Sequence, residues 1–211
     1  MARVVLRAGK SMPQSRRQFY PKAAAPKKRA KTENGKARFL SRARERDRAF
    51  ARSRAIKIQD LAKMLVANDP ELDLELRPVC QKFARLPFAY ITDCCAGHVS
   101  SRSDGRGRHF SLKEVKPGQR IYCNGTEFEI VLNNSPVSEK FRAALAEIPK
   151  RLPFVFVAPG PEMCILSVTG SRSRVSKRQA AQIMKMNISF IQEFESLVDR
   201  FVAKYGVKVR L

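Results

Sequence analysis

The sequence predicts an α+β fold, a small and mostly antiparallel sheet flanked by helices, with a long basic N-terminal tail and helix. Three observations predict it. Five short segments between residues 88 and 169 are rich in β-branched and aromatic residues. Apolar residues recur at helical spacing both before and after them. The first 57 residues carry 19 Lys and Arg against 3 Asp and Glu, a net of +16 within a whole-chain charge of +23.

Residues 1 to about 36 read as a tail. Its first acid is Glu33, and Pro13, Pro21 and Pro26 discourage a helix. So charged a segment, so poor in apolar groups, cannot bury enough surface to offset its ordering entropy, and it is expected to be disordered when free. From Lys36 to Asn68 there is no Pro or Gly, and Ala, Arg, Lys and Leu favour a helix. Ile58, Leu61 and Leu65 give the far end of this helix a packing stripe, whereas "RFLSRARERDRAFARSR" before it is cationic on nearly every side. The expected organisation is therefore a basic tail and helix over 1–57 and one α+β domain over 58–211.

Asp69-Pro70 ends the helix, and Leu72, Leu76, Val79 and Phe83 mark a second helical face, with regular helix from about Glu75 and Pro78 in its first turn. Strands follow at 88–92, 120–123, 126–132, 154–158 and 163–169. Asn124-Gly125 between the second and third predicts a hairpin, and Pro159-Gly160-Pro161 joins the last two. A helix over 135–148 starts with Ser135 as N-cap and Pro136 in its first turn. A long amphipathic helix runs from about Ser176 to Tyr205, with Ile183, Met186, Phe190, Phe194, Leu197 and Phe201 on one face and Gly206 as its C-cap.

The charge distribution favours a phosphate polymer as partner, since each cation placed on a phosphate releases counterions. A solubilising tail or a targeting peptide is the plainer alternative. Five cysteines are an odd number without a disulfide framework, which points to a reducing intracellular compartment, with the cytoplasm ahead of mitochondrion or nucleus. The Arg- and Ser-rich start and "PKKRAK" are generic targeting matches in so basic a tail. No apolar run approaches the ~20 residues of a membrane span, so no membrane partner is expected.

Backbone-binding candidates are Arg42, Arg44, Arg46, Arg48, Arg52 and Arg54 on the basic helix. Two basic loops add Arg102, Arg106 and Arg108, and Arg172, Arg174, Lys177 and Arg178 at the start of the last helix, where backbone N–H groups already favour anions. If both loops share one sheet edge, they form a phosphate-binding surface.

The chemically dense stretch is "PFAYITDCCAGHVS". Cys95 and His98 could meet across the Ala96-Gly97 turn as nucleophile and base, with Asp93 beside them. Against this stands a buried cysteine pair with a locally bonded histidine. Cys95, His98, His109 and Cys123 could also supply zinc ligands, although no CxxC pair is present and the adjacent Cys94 and Cys95 point to opposite faces of a strand.

"FAYITDCCAGHV", preceded by "LRPVCQKFARLP", resembles the motif of the tRNA wybutosine-synthesis methyltransferase family that acts third in its pathway. There a helix leads into a strand ending Thr-Thr-Ser-Ser-Cys-Ser/Ala-Gly-Arg. Thr92, Cys95, Ala96 and Gly97 match, while Ile91, Asp93, Cys94 and His98 depart, and the likeness spans about residues 72–100. The resemblance implies a related strand-and-turn fold, an RNA context and, for the family, S-adenosylmethionine as cofactor. The leading expectation is an RNA-binding protein of a ribonucleoprotein assembly, on rRNA or tRNA, needing no cofactor. The alternative is an RNA-modifying enzyme with the Cys-Ala-Gly-His turn at its active site, and a DNA-associated factor is the third.

Overall fold

The computed structural model describes residues 33–67, 72–101, 109–160, 162–168 and 174–209. Of the expected tail over residues 1 to about 36, residues 1–32 lie outside them, as do the loop residues Arg102, Arg106, Arg108 and Arg172, while 33–36 already belong to a helix. Two compact units divide the chain, 1–40 and 41–211. Of the first, residues 33–40 are helical. All that follows concerns the second.

The basic helix is α1 (Glu33–Val66), of which residues 41–66 belong to this unit. Within 41–66 it has a docked side, set by Phe50, Arg54 and Leu61 at helical spacing. The Phe50 ring lies 5.3 Å from Tyr90. Arg54 donates to two main-chain carbonyls, Nη2 to Ala84 at 2.6 Å and Nε to Leu86 at 3.0 Å. Leu61, Met64 and Leu65 then pack on the main core.

Leu74–Leu76 form one 3-10 turn leading into α2 (Arg77–Phe83), with Pro78 in its first turn, where no backbone donor is lost. The expected face Leu72, Leu76, Val79 and Phe83 is fully inside. Next come β1 (Ala89–Cys95), β2 (Val99–Ser100), β3 (Ile121–Cys123) and β4 (Glu127–Leu132). After these follow α3 (Pro136–Ala146), α4 (Ile148–Arg151), β5 (Val155–Pro159), β6 (Met163–Val168), β7 (Arg174–Val175) and α5 (Lys177–Tyr205). The expected N-cap Ser135 forms, and the last helix has one of its own. Ser135 accepts from Ser138 N–H, and Ser176 and Gln179 make a reciprocal capping box.

The strands make two sheets, so the fold is α+β as its sequence pattern predicts. The larger is antiparallel throughout, in the order β1-β4-β6-β5. Alternation puts Phe128, Ile130 and Leu132 of β4 on one buried face with Cys164, Leu166 and Val168 of β6. Helices α2, α3 and α5 cover that face through rings in contact, among them Phe128–Phe194 at 4.5 Å and Phe141–Phe201 at 4.8 Å. The smaller sheet, β2-β3-β7, closes over Val99, Val115, Ile121, Cys123, Val175 and Ala180. One helix serves both. Ala180, Ile183 and Met184 of α5 touch the small cluster, and Phe190 to Val202 touch the large one.

Strand β1 carries a bulge. Ile91 pairs with Ile130 and Asp93 with Glu129, leaving Thr92 as the extra residue. Its hydroxyl bonds the Glu129 carbonyl at 3.3 Å. The bulge shifts the alternation by one, so Asp93 stays in water and Cys94 turns to the core.

The hairpin expected at Asn124-Gly125 does not form, because β3 and β4 belong to different sheets. Tertiary partners take the backbone groups that a hairpin would pair. Asn124 N–H donates to the His98 carbonyl and Thr126 N–H to Asn187 Oδ1, each at 2.9 Å. Gly125 is needed for closeness, since a Cβ there would lie 2.2 Å from the Val168 carbonyl oxygen.

Candidate functional site

The turn that ends β1 sits on the seam between the sheets, and each of its residues is tied down. Ala96 N–H donates to Asp73 Oδ2 at 2.7 Å, and the Ala96 carbonyl accepts from Thr126 Oγ1 at 2.8 Å. Gly97 adopts φ +84°, which favours glycine, and a Cβ there would meet Asn187 Nδ2 at 2.3 Å. Asn187 is buried in the middle of α5. Its Oδ1 accepts from Thr126 N–H and its Nδ2 donates to the Asn124 carbonyl at 3.2 Å. The helix that spans both sheets thereby fastens the crossover between them.

The turn aims Cys95 and His98 toward one carboxylate. Asp73, just ahead of the 3-10 turn, reaches His98 Nε2 with Oδ1 at 3.4 Å. Donor atoms of Asp73, Cys95 and His98 all lie within 4.8 Å of one another, the one such group among the described residues. The His98 ring stacks on His109 at 4.5 Å, 13° from parallel. His109 nonetheless lies outside the donor group, and so does Cys123, buried in the small cluster. Of the four expected zinc ligands, the fold therefore brings Cys95 and His98 together and supplies a carboxylate instead of the other two.

Burial favours the thiol form of Cys95 and Cys123. Burial pushes Cys95 up to about 11, helped by the Asp73 carboxylate and opposed by the Gly97 N–H that bonds its sulfur. Burial alone pushes Cys123 up to about 11. Cys94 lies 3.8 Å from Cys80 across the β1–α2 contact, and that hydrogen bond lowers the Cys94 pKa while raising that of Cys80. A Cys95 thiol with so high a pKa has almost no thiolate at neutral pH, and Asp93 is exposed on the bulge. This environment does not activate Cys95 as a nucleophile.

Two cationic surfaces accompany the turn. On α1, Arg42, Arg44, Arg46, Arg48 and Arg52 are exposed and make no ion pair among the described residues. Arg44, Arg48 and Arg52 recur every fourth residue. At ~100° per residue this stripe lies roughly 140° around the helix from the docked Phe50, Arg54 and Leu61. Arg54, grouped with them from sequence, is instead half-buried and spent on the two carbonyls at the end of α2.

The second surface is a hollow of about 440 Å³ at the start of α5, lined by Gly118, Gln119, Arg120, Lys177 and Arg178 beside the capping box. Arg174 stands at its strand edge, 5.9 Å from the Tyr122 ring, and its carbonyl accepts from Arg120. Lys177 also donates to the Val115 carbonyl at 3.0 Å. The two basic loops are anchored on opposite edges of the small sheet, and their residues 102–108 and 169–173 lie outside the described ones. The loop after Ser100 leaves from β2 and the loop before Arg174 enters β7, with β3 between them. Their anchors are two strand spacings apart, roughly 10 Å.

S-adenosylmethionine, the cofactor that the sequence resemblance implies, suits neither described cavity. The apolar one between α1, α2 and β1 holds about 250 Å³, below the ~300 Å³ at which ligand pockets begin. The hollow at α5 is lined by cations that repel a sulfonium. Among the described residues, no helix is long and apolar enough to cross a membrane.

Asp73 and Asn187 escaped the sequence reading. Asp73 looks like a helix-start acid in "PELDLELRP". Asn187 left a signal, falling between Ile183 and Phe190 on the stripe that should be apolar.

No family model matches the chain, and no curated protein matches it. Among solved structures it is similar to the PH1069 protein from Pyrococcus horikoshii, at 12% identity and a TM-score of 0.45, covering 75% of this chain and 94% of that one. A second structure of that protein, from Pyrococcus horikoshii OT3, gives 12% identity and a TM-score of 0.44, covering 74% and 92%.

Proposed function

We propose that the protein binds RNA through its phosphate backbone, as a component of or factor for a ribonucleoprotein assembly. One observation carries the reading. The Arg44, Arg48 and Arg52 stripe faces away from the domain while Phe50, Arg54 and Lys57 fix the same helix to it, the last through a bond to the Thr92 carbonyl at 3.3 Å. Exposed, unpaired cations on an anchored helix keep their full charge for a partner and lose little entropy on meeting it. Arg120, Lys177 and Arg178 offer a second contact at the start of α5.

The test is the salt dependence of affinity for single-stranded RNA. Replacing Arg44, Arg48 and Arg52 with Ala removes three phosphate contacts and should reduce the slope of log K against log salt by about 2. An unchanged slope in the triple variant overturns the reading. A DNA competitor as effective as RNA at the same salt moves it to the DNA-associated alternative.

Chemistry on a bound RNA at the β1 turn is the second reading. It is favoured by the meeting of Asp73, Cys95 and His98, three groups able to move a proton or hold a cation, at a strand end. Turnover lost in Cys95→Ala, with RNA affinity kept, supports it.

A further inference from the structure

We propose that Asp73, Cys95 and His98 form a binding site for a divalent metal of the zinc class, with three protein ligands and a fourth position open to water. The site does not depend on the RNA-binding reading. Its case is geometric. Two ligands on tetrahedral zinc, an oxygen and a nitrogen each about 2.0–2.1 Å from the metal, stand ~3.3 Å apart. Asp73 Oδ1 and His98 Nε2 stand 3.4 Å apart, longer than the usual hydrogen bond and close to that edge. The Cys95 sulfur completes the triangle within 4.8 Å of both. A rotamer-scale movement of about 1 Å brings it to a bonding position.

Each ligand is also oriented from behind, as metal ligands are. The second Asp73 oxygen takes Ala96 N–H, so Oδ1 is left for a cation. The Cys95 sulfur accepts Gly97 N–H at 3.3 Å, a bond that strengthens with negative charge on sulfur. The stacked His109 fixes the plane of the His98 ring, and Asn124 N–H holds the His98 carbonyl. The Cys-Ala-Gly-His spacing places sulfur and imidazole on one side of the turn because Gly97 takes a conformation closed to other residues without strain.

The donor set selects the metal. One thiolate, one imidazole and one carboxylate do not suit magnesium or calcium, which take oxygen ligands, and do suit zinc. Three protein ligands with an open position is the arrangement of zinc sites that hold a water. Asp73 and His98 keep 16% and 28% of their side-chain surface exposed, which leaves a path for entry.

Cobalt(II) is the probe, added to the full-length protein and then displaced by zinc. One equivalent should bind with a sulfur-to-cobalt charge-transfer band and the intense visible spectrum of a four-coordinate site. Cys95→Ser should abolish the charge-transfer band, and Asp73→Asn and His98→Ala should each weaken binding at least tenfold. Cys123→Ala should leave the spectrum unchanged. Absence of the band in the wild-type protein, or its survival in Cys95→Ser, overturns the proposal and leaves Asp73 and His98 as a carboxylate–imidazole contact only. If the variants fail to fold, zinc-edge X-ray absorption of the wild-type protein decides. One sulfur with nitrogen and oxygen neighbours supports the site, and two or more sulfurs, or none, overturn it. RNA affinity measured on Cys95→Ser should match the wild type, so failure here leaves the RNA reading standing.

Discussion

In the four-stranded sheet, Phe128, Ile130 and Leu166 meet Phe83, Phe190 and Phe194, and the interior holds together by apolar area and ring contacts. In the three-stranded sheet, two strands are only two residues long and the buried cluster has six members, none of them aromatic. So small a cluster cannot hold its strands by burial alone. What it has in addition is the polar seam: Asn187 on Thr126 and Asn124, Thr126 on Ala96, and Asn124 on His98. The difference teaches that in this fold apolar packing builds the platform and hydrogen bonding positions the chemistry. Asp73, Cys95 and His98 stand on the part held by specific bonds.

The largest expected effect tests the platform. Phe194→Ala removes a ring packed on Phe83, Phe128 and Phe190, and should cost about 3–5 kcal/mol in denaturant unfolding, with both sheets lost together. Next is the seam. Asn187→Leu strands Thr126 N–H and the Asn124 carbonyl without partners, at roughly 2–4 kcal/mol. Hydrogen exchange should then quicken first at β3 and residues 124–126 while β4 and β6 stay protected. Uniform acceleration would show that the two regions are not held separately.

The smallest effect sharpens the comparison through pH. The Cys123 thiol, in the small cluster, is pushed up to about 11 in the folded protein, against an ordinary value of 9.0. Between those values the unfolded chain gives up the proton and the folded one keeps it. The stability this thiol contributes is therefore present below about pH 9 and lost as pH rises toward 11. Chelator-treated Cys123→Ala should show a shallower decline over that window than wild type, read from urea midpoints. Equal slopes would place the titration elsewhere.

Much of the platform could be read from residues alone. β4 announces itself by strict alternation, α3 and α5 by their caps and stripes, and the Pro78 placement by the missing donor of proline. The small sheet could not be read this way, because two-residue strands such as Val99–Ser100 carry no period. The Asn-Gly dipeptide misled for a related reason. Local turn chemistry favours a hairpin, but the partners of residues 124–126 come from His98, Val168 and Asn187, distant in sequence. The site followed the same division. Cys95 and His98 were legible as a pair three positions apart, while Asp73, 22 residues before Cys95, had no local mark to separate it from its acidic neighbours.

The bulge at Thr92 makes β1 a strand whose length is part of its meaning. Because Asp93 and Cys94 already hold the partners Glu129 and Phe128 of an unbulged ladder, Thr92 is the residue that the strand could lose with its later side chains pointing as they do now. Removing Cys94 instead would swing Cys95 to the face that now meets Cys80. A change in length is thus absorbed at the bulge and reverses the strand beyond it.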